Sequence, residues 1–87
     1  MIFNCYSLFD SVDGAYGTIM LHRSDARAAK TVSDTFTMKN KEASAKGYPE
    51  TPITDYRLYK VGSFDDTSGS LLSCDPVLIP FAGGDDL

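Results

Sequence analysis

Two pairs of residues have the types that covalent or acid–base chemistry needs. Cys5 and His22, if they lay on paired strands, would bring a nucleophile next to a base. The commoner arrangement is a core cysteine beside a surface histidine, because free cysteine is among the most buried residue types. Asp65 and Asp66 are adjacent carboxylates, but neighbours at the end of a strand point to opposite sides, so they read as turn formers. The chain has two cysteines and one histidine with no Cys-x-x-Cys spacing, which disfavours zinc. The scattered glycines match no phosphate-binding loop. The sequence therefore predicts no enzyme, no catalytic residue, no cofactor and no metal.

A binding signal is stronger. From Tyr56 to Val61 aromatic and basic residues interleave, with Arg57, Tyr59 and Val61 on one face of a strand and Tyr56, Leu58 and Lys60 on the other. An aromatic ring beside Arg or Lys suits single-stranded nucleic acid, since any base stacks on the ring and the cation meets the phosphate. The competing explanation is ordinary edge decoration of a sheet, where Tyr is common and Arg or Lys is solvated. Arg23, Arg27 and Lys30 add a second basic stripe, which is otherwise a solvated face. Arg57, Tyr59, Lys60, Arg23, Arg27 and Lys30 are the candidate DNA contacts.

Charge distribution supports the same region. The net charge is −4, yet all eight Lys and Arg lie between Arg23 and Lys60 with five acids among them, so that segment is basic and both flanks are acidic. No apolar run approaches the ~20 residues that span a bilayer. The N-terminus has no basic region before its short apolar run, unlike a secretory signal. A soluble intracellular protein is expected, without membrane contact and with its thiols reduced, so a Cys5–Cys74 disulfide is disfavoured.

To position these residues, 87 residues allow one small domain, burying roughly 63% of its unfolded surface. Ile2 to Phe9 reads as a strand, Asp13-Gly14 as a turn, and Gly17 to His22 as a second strand completing a hairpin. Ser24 is an N-cap and Asp25 to about Phe36 a helix, with Ala29, Val32 and Phe36 as its apolar stripe. The polar stretch Thr37 to Ala45 reads as a frayed extension or a second short helix ended by Gly47. Tyr56 to Phe64 and Ser70 to Cys74 form a second hairpin through the Asp65–Gly69 turn, and Pro76 and Pro80 keep the last segment out of a central strand. The expectation is a single α+β domain over residues 1–82, an antiparallel sheet from two β-hairpins with one helix packed across a face in the order β-β-α-β-β, then a loose acidic tail at 83–87. Its core is expected from Phe3, Tyr6 or Cys5, Ile19, Leu21, Ala29, Val32, Phe36, Leu58, Val61, Phe64 and Leu72. The uncovered sheet face and its edges predict a homodimer.

Tyr6-Ser7 with Asp10, Asp25-x-x-Ala28, Tyr48-Pro49-Glu50 and the run Asp55 to Gly69 make the sequence similar to a known family. Above all Leu58-Tyr59-x-x-Gly62-x-Phe64-Asp65-Asp66-x-x-Gly69 resembles the small nonstructural protein from the fifth reading frame of gokushoviruses, single-stranded DNA bacteriophages of the microvirus family. The resemblance implies a protein made in the host bacterial cytoplasm, absent from the mature capsid, associated with phage DNA replication or packaging and binding single-stranded DNA. The alternative reading of the residues is a non-enzymatic protein-interaction or regulatory factor whose acidic turn, Asp65-Asp66, and acidic tail contact a phage or host replication protein. The family's pattern carries no catalytic residues onto this chain, and Gly62 and Gly69 read as backbone requirements.

Overall fold

The structure, a computed structural model, describes residues 1–81. The expected acidic tail, and Ala82 before it, lie outside the described residues. Five strands and one long helix follow in the order β1 (Ile2–Asp10), β2 (Ala15–Tyr16), β3 (Met20–His22), α1 (Asp25–Ala45), a 3₁₀ turn (Ile53–Asp55), β4 (Tyr56–Asp65) and β5 (Leu71–Ile79). The sheet is antiparallel in the order β2-β1-β4-β5, with β3 beside β2 along the same edge of β1. This is the expected α+β class, with two departures in the strands.

The first departure is at the β2–β3 edge. Gly17 to His22 is not one strand: Tyr16 pairs with Phe9, the chain then loops, and pairing resumes with Met20 opposite Tyr6. Ser7 holds the loop, its hydroxyl donating to the Gly17 carbonyl at 3.0 Å, while the Gly17 amide donates to the Leu8 carbonyl at 2.9 Å. The second departure is β5, which runs past Cys74 to Ile79 with Pro76 inside it. Lys60 pairs with Val77 and Gly62 with Ser73, so Cys74, Asp75 and Pro76 all lie opposite Val61. Pro76 is tolerated because it sits in that bulge on an edge strand, where no ladder donor is required of it. Val61 is also the extra residue against β1, where Cys5 pairs with Gly62 and Tyr6 with Lys60. At Gly62 any Cβ would overlap the Leu72 carbonyl oxygen, so only glycine lets β5 approach there.

Ser24 accepts the Arg27 amide at 3.1 Å and starts α1 where the sequence placed it. The helix does not stop near Phe36 but continues to Ala45, then closes with the Tyr48 amide on the Ala43 carbonyl and the Gly47 amide on the Ser44 carbonyl, a Schellman pair. Its polar second half is held by the Pro-rich link: Asn40 accepts the Thr51 amide at 2.8 Å and donates to the Thr51 carbonyl at 3.0 Å.

The core lies between α1 and one sheet face. Ala28, Val32 and Phe36, spaced four apart, pack on Tyr6, Leu58, Ile79 and Phe81. Ala28 takes the central position expected for Ala29, which is half-buried beside it. Ile19, Leu21 and Leu72, expected in the core, are 56%, 45% and 64% exposed. The split edge moves Ile19 into the loop, while Leu21 pairs with Cys5, a residue on the face that carries no helix. Phe3 and Phe64 are cross-strand partners and only half-buried. Val61, displaced by the bulge, is half-buried as well.

Candidate nucleic-acid interface

Alternation along β1 and β4 separates two sets of side chains. Tyr6, Leu8, Tyr56 and Leu58 face or border the helix-covered core. Phe9 lies opposite Arg57 and Ser7 opposite Tyr59 on the other face, with Leu78 across from Tyr59 on β5 and Tyr16 across from Phe9 on β2. The one α-helix among the described residues lies on the far side of the sheet.

Three rings converge on this open face. Phe9 and Tyr16 have centroids 5.0 Å apart at 60°, Tyr16 and Tyr59 5.8 Å apart at 71°, and Phe9 and Tyr59 6.5 Å apart at 90°. Edge-to-face packing of this kind fixes ring orientation. It also leaves ring surface outward, Tyr16 being 47% exposed. The Arg57 guanidinium is anchored beside the rings, one nitrogen donating to the Thr54 carbonyl at 2.8 Å and the Tyr56 carbonyl at 3.0 Å. The arrangement offers stacking surface next to a placed cation.

The six candidate contacts do not form one patch. Arg57 and Tyr59 share the open face. Lys60 lies opposite Tyr6, half-buried on the helix-covered side. Arg23 precedes the helix and is not part of it; its guanidinium sits 6.0 Å from the Phe3 ring centre, at the end of the open face away from Tyr59. Arg27 borders the same end, whereas Lys30 is tied to Asp34 at 2.9 Å on the helix exterior. Phe9 and Tyr16 complete the ring cluster and were not among the candidates. Alternation alone places Phe9 with Ser7, but the pairing of Tyr16 depends on the loop after it.

Cys5 and His22 are separated. Cys5 is buried and pairs with Leu21 on the open face, while His22 pairs with Asn4 and its ring contacts Tyr6, whose side chain joins the core. Burial pushes the Cys5 thiol above its ordinary value, against thiolate formation. Both cysteines are free, and among the described residues no group of three His, Cys, Asp or Glu is placed to hold a metal ion. No helix among the described residues is long and apolar enough to cross a membrane. Asp65 and Asp66 do more than turn the chain: the Met1 ammonium lies 2.9 Å from Asp66 and 3.6 Å from Asp65.

The family model for the Phage ORF5 protein matches residues 3–82. The chain belongs to the Phage ORF5 family. No curated protein and no solved structure matches it. The match covers the helix and all of the sheet after Ile2, so both the ring cluster and the Arg23 end lie inside the Phage ORF5 family's span.

Proposed function

We propose that this phage protein binds single-stranded DNA without sequence preference, and so supports phage DNA replication or packaging in the infected bacterium. The observation that carries the reading is the cluster of Phe9, Tyr16 and Tyr59 with Arg57 on the sheet face opposite the helix. Stacking on aromatic rings is indifferent to base identity, and a cation beside the rings meets the phosphates. The specific Leu-Tyr-x-x-Gly-x-Phe-Asp-Asp pattern of Leu58 to Asp66 supports a gokushovirus origin within the family. Fluorescence anisotropy of labelled single strands and of duplex at two salt concentrations tests the reading. Single strands should bind more tightly than duplex and be released by salt; no binding at tens of micromolar protein in low salt would remove it.

A second reading has its own observation. Along edge strand β5, Leu71, Leu72, Val77 and Leu78 are 69%, 64%, 48% and 47% exposed. Apolar side chains on an edge that pairs with no further strand among the described residues favour association, through a second copy of the chain or a phage or host replication protein.

A further inference from the structure

At the β3 edge of the sheet a cleft of about 430 Å³ is lined by Phe3, Leu21, His22, Arg23, Ser24 and Arg27. Local structure assembles it. Leu21 pairs with Cys5 on the open face, and the chain continues so that Arg23 comes to lie over the Phe3 ring. Ser24 then caps α1, which brings Arg27 to the same cleft one turn later. Two guanidiniums and a half-buried ring line the space, and among the described residues no carboxylate does. The nearby Asp25 carboxylate accepts the Tyr6 hydroxyl at 2.6 Å.

Phe3 and Phe9 lie on the same face of β1, six residues apart. At about 3.3 Å per residue they are separated by about 20 Å, the length of about six nucleotides stacked at ~3.4 Å each. Between them Cys5 and Ser7 on β1 and Gly62 beside Cys5 on β4 are themselves buried, Ser7 with its hydroxyl on the Gly17 carbonyl, so a DNA strand here would lie on the groups that cover them. The ring cluster and the Arg23 cleft therefore mark the two ends of one sheet face.

We propose that this cleft is the second contact point for a single DNA strand running along β1, with Arg23 and Arg27 holding phosphate and Phe3 stacking a base. This rests on the DNA-binding reading above and adds to it a place, a strand path and a site size. Lys30 and Lys60 are outside the path, the first paired with Asp34 and the second on the helix-covered side.

Thymidine oligomers of about three, six and nine nucleotides, titrated by anisotropy at several salt concentrations, test the path. Wild-type affinity should rise about tenfold or more between about three and six nucleotides, then level off. The double variant Arg23→Ala, Arg27→Ala should lose that rise, and its salt slope on the longer oligomers should fall by about 1.4, two phosphate contacts at ~0.7 each. Arg23→Lys, Arg27→Lys should restore the slope, and thermal unfolding of all variants should match wild type because both arginines are exposed. If the alanine pair keeps the wild-type length dependence and slope while Tyr59→Ala still weakens binding, the cleft is not a contact and DNA binding stands. If wild type binds none of the oligomers, both fall together.

Discussion

Tyr6 donates its hydroxyl to Asp25 at 2.6 Å, joining a fully buried ring on β1 to the first turn of the helix. Asn4 donates to the same phenol oxygen at 3.0 Å. Two fragments of the family resemblance, Tyr6 and Asp25, thus meet in space although nineteen residues separate them. Asp25 also suits the positive end of the helix dipole, so one carboxylate serves both contacts.

The contact predicts an alkaline limit to stability. Burial, and then the hydrogen bond to Asp25, push Tyr6 from its ordinary value of 10 up to about 12. The folded state thus holds this proton more tightly than the unfolded state does. The resulting stability is fully present below pH 10 and is lost as pH rises from 10 toward 12. With ~1.4 kcal/mol per tenfold in proton affinity, the loss is on the order of 2 to 3 kcal/mol. Urea unfolding at pH 8 and about pH 11.5 should show it in wild type but much reduced in Tyr6→Phe, which should itself lose about 1 to 2 kcal/mol at neutral pH. Equal alkaline losses in the two proteins would assign the effect to other tyrosines.

Asp65 has the opposite dependence. The Thr67 amide donates to its carboxylate at 2.9 Å, and with the nearby Met1 ammonium this holds Asp65 below the usual carboxylate range. A lowered folded pKa stabilises above the unfolded value near 3.9 and ceases to as pH falls through the folded one. Acid unfolding of Asp65→Asn should therefore begin from a lower baseline at neutral pH and lose less than wild type below about pH 4. An unchanged acid profile would show that the turn forms without the ionised side chain.

Phe36 is 8% exposed and packs on Tyr56 with ring centres 5.1 Å apart. Phe36→Ala should cost ~3 to 5 kcal/mol in urea unfolding, whereas Ile19→Ala, at a position 56% exposed, should cost under about 1. An Ile19→Ala loss as large as that of Phe36→Ala would return Ile19 to the core, as expected from sequence.

That contrast marks what local signals reveal. The cap at Ser24, the four-residue spacing of Val32 and Phe36 and the strand pattern of Tyr56 to Phe64 are contained in a few neighbouring residues, and each predicts its element. The helix end was not legible in the same way, because Thr37 to Ala45 has no apolar stripe to show. That half is instead held by Asn40 and Thr51, eleven residues apart. Register was hidden for a similar reason. The bulge at Val61 and the gap between Tyr16 and Met20 depend on which strand lies alongside, and they decide that Ile79 and Phe81, not Ile19 and Leu72, fill the core. At the candidate site, Arg57 and Tyr59 were legible from alternation. Lys60, one residue further on, turns to the helix side.

The exposed apolar side chains of β5 predict self-association. Sedimentation at micromolar concentration should give a species heavier than the 9.5 kDa chain, and Leu71→Lys with Leu72→Lys should return it to monomer. A wild-type species of 9.5 kDa would remove the dimer and leave the edge to a different partner.

The DNA reading makes residue-level forecasts that follow from the two faces of β4. The net charge is −4, so binding must depend on local cations, be modest in strength and fall steeply with salt, at about −0.7 per phosphate contact. Tyr59→Ala should weaken binding by about 1 to 3 kcal/mol, because it removes stacking surface and also releases the edges of Phe9 and Tyr16. Arg57→Ala should lower the salt slope by about 0.7 and leave base preference unaltered, as a phosphate contact carries no sequence information. Lys60→Ala, on the helix-covered face, should leave the slope where it was. Duplex should bind less tightly than single strands, its bases being paired and stacked out of reach of the rings. A Lys60→Ala loss equal to that of Arg57→Ala would mean that the strand does not lie on the open face, since no one face of β4 presents both side chains.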